Sequence, residues 1–143
     1  MAEAKDTAAR FVAAFNAHDE GALLSVHAAT VKFEAPGGVH LNNTTDATAY
    51  ALRWIKSFPN GKMTVRHEIT SGPWVIQEVT MEGTHSGPLE SPMGTVRATG
   101  KHFSGKCVQL LRIDHDQIVE ARLYFDQVEM MSQLGILPTP ATV

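Results

Sequence analysis

The stretch "KHFSGKCVQLLRIDHDQIVEARLYFDQVEMMSQLG", Lys101 to Gly135, decides the fold. Alternating and β-branched residues run up to Asp114, "DHDQ" (Asp114 to Gln117) makes a tight hairpin turn, and "QIVEARLYFD" alternates again. Helical spacing returns in "QVEMMSQLG" and stops at Gly135. Within the last strand Val119, Ala121, Leu123 and Phe125 share one side, and Glu120, Arg122, Tyr124 and Asp126 the other. A side carrying two acids, a guanidinium and a phenol either meets solvent or lines a pocket. Alternation alone leaves both open.

Working backward, "KMTVRHEITSG" and "WVIQEVTMEGTH" are further strand candidates, and everything before residue 62 is mostly helical. Ala8, Phe11, Val12 and Phe15 place one apolar stripe on a helix over roughly residues 4–16. Asp19 can cap a short helix through Leu23, Leu24 and His27. "TVKFEAP" reads as a short strand ended by Pro36, and "GGVHLNNTT" as loop. Asp46 opens a third helix whose Ala47, Tyr50, Ala51, Trp54 and Phe58 share a face, ending at Pro59 and Gly61. Helices followed by long antiparallel strands give an α+β domain, helices packed on one face of a bent sheet.

The chain of 143 residues is a single domain, 1–143, with room for a real core. A net charge of −3 without a basic run or basic helix face argues against nucleic acid and anionic membranes. The lone Cys107 excludes an internal disulfide and lacks an evident activating base. The start, "MAEAKDTAARFVAAFNAHDE", has no apolar run of the signal-peptide kind, and nothing is long enough to span a membrane, so a cytoplasmic location is expected. The seven histidines are scattered without ligand spacing, and "APGG" lacks the Gly-Lys-Ser/Thr of a phosphate loop. Neither a metal nor another cofactor is expected.

The motifs "SFPN" (Ser57 to Asn60), "EGTHSGPL" (Glu82 to Leu89), "ATGK" (Ala98 to Lys101), "LRIDHDQIVEARLYFD" and "MMSQLG" occur in an order that resembles the SnoaL-like polyketide cyclases. That family shares a cone-shaped α+β fold with ketosteroid isomerase, limonene epoxide hydrolase and nuclear transport factor. The resemblance covers roughly residues 5–136. It implies N-terminal helices on a strongly bent, mainly antiparallel sheet, and a cofactor-free enzyme closing a ring on a hydrophobic, carbonyl-containing polyketide-like substrate. It also implies that Asp126 is the acid/base and faces the cone interior, and that two copies pair through the outer sheet face. With Asp126 inward, that outer face would carry Ala121, Leu123 and Phe125.

Donors for the developing oxyanion are, by residue type, His85, Arg122, Tyr124 and Gln109. Phe15, Tyr50, Trp54 and Gln109 are expected to contact the substrate. His85 stands beside a Pro- and Gly-punctuated loop and reads either as a strand-end residue or as part of a pocket rim. Residues 86–94 are expected to be a mobile rim. The rivals are an isomerase or an epoxide hydrolase in the same cone, and a non-enzymatic binding domain. An epoxide hydrolase would need an acid–Arg–acid cluster, to which Arg122 and Asp126 could belong; a binding domain would turn nothing over.

Overall fold

Apolar residues at helical spacing form the helices their pattern demands. In the computed structural model, which describes residues 3–91 and 94–136, these are α1 (Ala4–Asn16), α2 (Glu20–Val26), α3 (Thr44–Ser57) and α4 (Gln127–Leu134). Asp19 caps α2, its Oδ1 accepting the Ala22 amide at 3.0 Å. α3 begins earlier than Asp46: Asn43 is the cap and accepts the Asp46 amide at 2.8 Å. Asp46 instead places its charge in the first turn, where the helix dipole favours it. Pro92 of the expected rim and residues 137–143 of the Pro-containing tail lie outside the described residues.

Eight strands are described: β1 (His27–Ala35), β2 (Val39–Leu41), β3 (Lys62–Ser71), β4 (Trp74–Thr84), β5 (Leu89–Ser91), β6 (Gly94–Val96), β7 (His102–Asp114) and β8 (Gln117–Phe125). Six form one sheet in the order β2-β1-β8-β7-β4-β3, antiparallel except where β1 runs parallel to β8. The loop expected over "GGVHLNNTT" therefore contains a short edge strand, because Val39 and Leu41 pair with Ala35 and Phe33. His115 and Asp116 turn β7 into β8 with φ of 51° and 60°, the left-handed pair that matches hairpin twist. β5 and β6 form a small hairpin of their own.

Which face of each strand meets the helices follows from burial. On β7 Gly105, Cys107, Gln109, Leu111 and Ile113 are buried and the residues between them are not; on β4 Val75, Gln77 and Val79 are buried. A bulge lies near Val119, where one step on β7 matches two on β8, so Ile118 and Ala121 both turn inward. Ala121, Leu123 and Phe125 then line the interior, which corrects the expected orientation of the last strand. The physical reason is ordinary: the concave face meets the apolar helices, so the apolar side of β8 goes there. The outer face carries Tyr124, half exposed, beside partly buried Val108, Leu110 and Ile76. A dimer face made of Ala121, Leu123 and Phe125 is thereby removed.

Two amide side chains lock helices onto the sheet. Asn16 at the end of α1 donates to the Met63 carbonyl at 2.9 Å and accepts the Met63 amide at 2.8 Å. Gln133 of α4 does the same to Ser104, both bonds 2.9 Å. Each substitutes for a strand neighbour by satisfying both backbone groups of one residue. The main core lies between α1, α2, α3 and the sheet; a second apolar cluster joins Phe58, Leu89, Met130 and Leu134 beneath the β5–β6 hairpin. No helix among the described residues is long and apolar enough to cross a membrane.

Candidate active site

Between the helices and the concave sheet runs a cavity lined by Phe11 and Phe15 of α1, Tyr50 and Trp54 of α3, and the inward residues of β7 and β8. On β7 the lining extends from Phe103 to Leu111, a run of roughly 26 Å at strand rise. The space free of protein atoms, open mouth included, is about 1040 Å³, but only about 90 Å³ admits the centre of a water molecule. It is a long, narrow slot. Exposed Glu82 and Lys106 stand at one end and buried His27, beside Ile118 in the sheet register, at the other.

Polar side chains interrupt the apolar wall, among them Gln109, His27 and Tyr50. Leu123, Gln109, Gln77 and Glu68 lie side by side across β8, β7, β4 and β3. Glu68 can only accept, so the Gln77 Nε2 that meets it at 2.8 Å must donate. That leaves Gln77 Oε1 to accept the Gln109 Nε2 at 2.7 Å. Gln109, 4% exposed, is therefore held with its Oε1 free to face a ligand. The ring Nδ1 of His27 donates to the Leu23 carbonyl at 2.7 Å, and Phe11 packs edge-on against the ring at 5.5 Å. Burial pushes the His27 pKa below its ordinary 6.5, the Leu23 carbonyl opposing. Burial likewise raises the Tyr50 phenol and pushes the Cys107 thiol up to about 12, so both keep their protons.

Of the residues expected from the sequence, Phe15, Tyr50, Trp54 and Gln109 come together around the cavity. Asp126 does not join them. It is exposed and caps α4, its Oδ1 accepting the Glu129 amide at 3.0 Å. Tyr124 points outward at 52% exposure. Arg122 contributes to the wall, but its guanidinium is engaged by Glu120 (Nη2 to Oε2, 3.2 Å) and reaches Glu34 at 4.0 Å. The acid–Arg–acid cluster expected of Arg122 with Asp126 is not assembled, since Arg122 pairs with Glu120 and Glu34 instead. Among the described residues no group of three or more His, Cys, Asp or Glu could hold a metal ion.

His85 is buried at 0% exposure and lies under the hairpin, away from the cavity lining. Its Nδ1 accepts the Thr99 amide at 3.2 Å, so Nε2 carries the proton and finds no partner among the described residues. Its backbone bonds Lys101 and Gly100, while the Ser57 carbonyl accepts the Ser86 and Gly87 amides. Gly87 passes so close to α3 that an added Cβ would sit 2.0 Å from the Lys56 carbonyl. The start of the expected rim, Ser86 and Gly87, is thus tied to the end of α3 beside buried His85. Burial lowers the His85 pKa, the nearby Gly87 carbonyl opposing the shift without closing a hydrogen bond.

Two expected results follow from these placements. Asp126→Asn should leave melting temperature and turnover unchanged, because asparagine caps a helix as well as aspartate; Asp126→Ala should cost about 0.5–2 kcal/mol and still spare turnover. A large loss of activity in the asparagine variant would return Asp126 to the chemistry. His27 and His85 make stability depend on pH. Below about 6.5 the unfolded chain binds their protons while the folded chain does not, so stability is full above that value and declines as pH falls through the lowered folded values. Melting curves at pH 7.5 and 5.5 should differ in that direction, and equal curves would contradict the buried neutral histidines.

Two cavity features were not anticipated from sequence: His27 as a polar group at the buried end, and Gln77 as the residue that orients Gln109. A histidine four residues after Leu23 at a helix end, followed directly by a strand, was the available signal for the first.

The sequence model of the SnoaL-like polyketide cyclases matches residues 5–134. The aklanonic acid methyl ester cyclase DauD of Streptomyces sp. (strain C5) is 31% identical over 144 residues, covering 94% of this chain and 84% of DauD. Wild-type IdmH from Streptomyces antibioticus superposes with a TM-score of 0.79 at 26% identity, over 94% of this chain and 99% of IdmH. A structure from Jannaschia sp. CCS1 superposes at 0.83 with 17% identity, over 94% and 93% of the two chains, and speaks for the fold alone. Fold, cavity and sequence match agree: the chain belongs to the SnoaL-like polyketide cyclase family, a family of enzymes on the cone-shaped α+β scaffold.

Proposed function

We propose that the protein closes a ring in a flat, hydrophobic, carbonyl-containing polyketide by an aldol-type step without a cofactor. The observation that carries this is the slot itself: long, narrow, walled by Phe11, Phe15, Phe33, Tyr50 and Trp54, and polar only at a few oriented atoms. Such a slot selects extended planar ligands and holds the chain folded for attack on its own carbonyl. Tyr50, kept protonated by burial, supplies a donor for the oxyanion that forms. Gln109 Oε1 accepts a substrate hydroxyl, and Leu123 and Leu111 supply apolar wall on either side.

Asp126 could act as the acid/base only by leaving its cap on α4, so this reading does not use it. Hydrolysis of an epoxide is the weaker rival, because the acids that flank Arg122, Glu120 and Glu34, lie outside the cavity lining. A dimer through the outer sheet face would now use Ile76, Val108, Leu110 and Tyr124, and light scattering at micromolar concentration tests it.

The direct experiment offers the purified protein aklanonic acid methyl ester, the compound in the name of DauD. A product of unchanged mass but altered retention and absorption, formed faster than with boiled protein, is the expected result. No product, together with no change of tryptophan fluorescence when the ester is added, would overturn the reading.

A further inference from the structure

The slot holds no carboxylate at its buried end, yet ring closure by an enolate needs a group there that can take a proton. We propose that His27 is that group and that its Nε2 is the proton acceptor of the cavity; this deepens the cyclase reading and rests on it. The tautomer is dictated by the fold. The Leu23 carbonyl can only accept, so Nδ1 carries the hydrogen of the 2.7 Å bond, and Nε2 is left with the lone pair. His27 is 3% exposed and lines the cavity, and the hydrogen bond its ring makes among the described residues runs from Nδ1, not Nε2. Phe11 from α1 closes over the ring, Leu23 from α2 holds it, and Ile118 of β8 pairs with it in register; none is charged. Burial keeps the ring neutral at pH 7, so the Nε2 lone pair is unprotonated when substrate enters.

The step balances without an oxidant or reductant. A C–H bond α to a substrate carbonyl breaks, its proton passes to Nε2, and its electron pair moves onto the enolate oxygen. The enolate carbon then bonds to the second carbonyl carbon, and the resulting alkoxide takes the proton back from Nε2. The histidine ends neutral, as it began.

His27→Asn is the informative variant, because its side-chain amide can reproduce the Nδ1–H bond to Leu23 while nothing replaces Nε2. With aklanonic acid methyl ester, turnover should fall about 10²–10⁴-fold with the melting temperature close to that of the unaltered protein. The acid limb of the rate profile should vanish with it. Turnover at the unaltered rate would overturn the proposal. A second arm needs neither turnover nor the variant's folding: in ¹⁵N-labelled protein, 2-naphthol, whose hydroxyl can donate, should shift the His27 Nε2 resonance, and naphthalene should not. Identical responses to the two probes would overturn it as well. If the ester is never converted but naphthol moves Nε2, the assumed reaction fails while the acceptor at His27 stands.

Discussion

Phe58→Ala should lower stability by about 3–5 kcal/mol, the loss typical of a buried phenylalanine truncated in place. Phe58 is 7% exposed at the end of α3, and its ring is the meeting point of three others. Trp54 stacks on it at 6.2 Å with planes 24° apart, Phe103 stands at 6.2 Å, and the His85 imidazole at 5.5 Å. Removing the ring opens a void between the cavity wall and the small cluster with Leu89, Met130 and Leu134. The damage should be greatest above the void. Amide exchange in β5 and β6 should accelerate more than in α1, alongside the shifted denaturant midpoint. A loss under about 1 kcal/mol would mean that Trp54 and Phe103 close the gap by themselves.

Tyr50→Phe should reduce turnover about 10²–10³-fold, the cost of deleting one donor to a developing oxyanion. The ring would keep its packing against Phe33 at 5.0 Å and Trp54 at 6.1 Å, and the Arg53 guanidinium would still lie over it at 5.5 Å. Binding of a product-like ligand should weaken far less than turnover falls. The decisive comparison is therefore between rate and melting temperature, with the first expected to collapse and the second to hold. A fully active phenylalanine variant would leave Tyr50 as wall only.

The order of helices, long strands and the "DHDQ" turn was legible because each rests on local chemistry: spacing, caps and left-handed turn residues. The caps Asp19 and Gly135 were legible for the same reason. What local chemistry could not supply was the sense of β8. Its alternation announces two faces; the helices opposite decide which one is wanted, and they are apolar. The site was partly legible, since Phe15, Tyr50 and Trp54 share helix faces that must meet the sheet. Gln109 gains its orientation from Gln77 and the Met63 sulfur on other strands, and Gln77 from Glu68. No window of sequence contains that chain. His27 is similar: a histidine becomes a proton acceptor here through the Leu23 carbonyl behind it and Phe11 above it.

The parallel pairing of β1 with β8 has a consequence for the order of events during synthesis. Phe33 takes its neighbours from Ala121 on one side and Leu41 on the other, so β1 can join only β2 until Ala121 has left the ribosome. The loop that must close is long, and its entropy has to be offset before any contact across the seam repays it. β3, β4 and β7 can zip together in the meantime. Their concave apolar face, together with α1 and α3, waits for the seam. A nascent chain stalled before Gln117 would thus display the future slot as bare aromatic surface, and there a folding chaperone would find its longest hold.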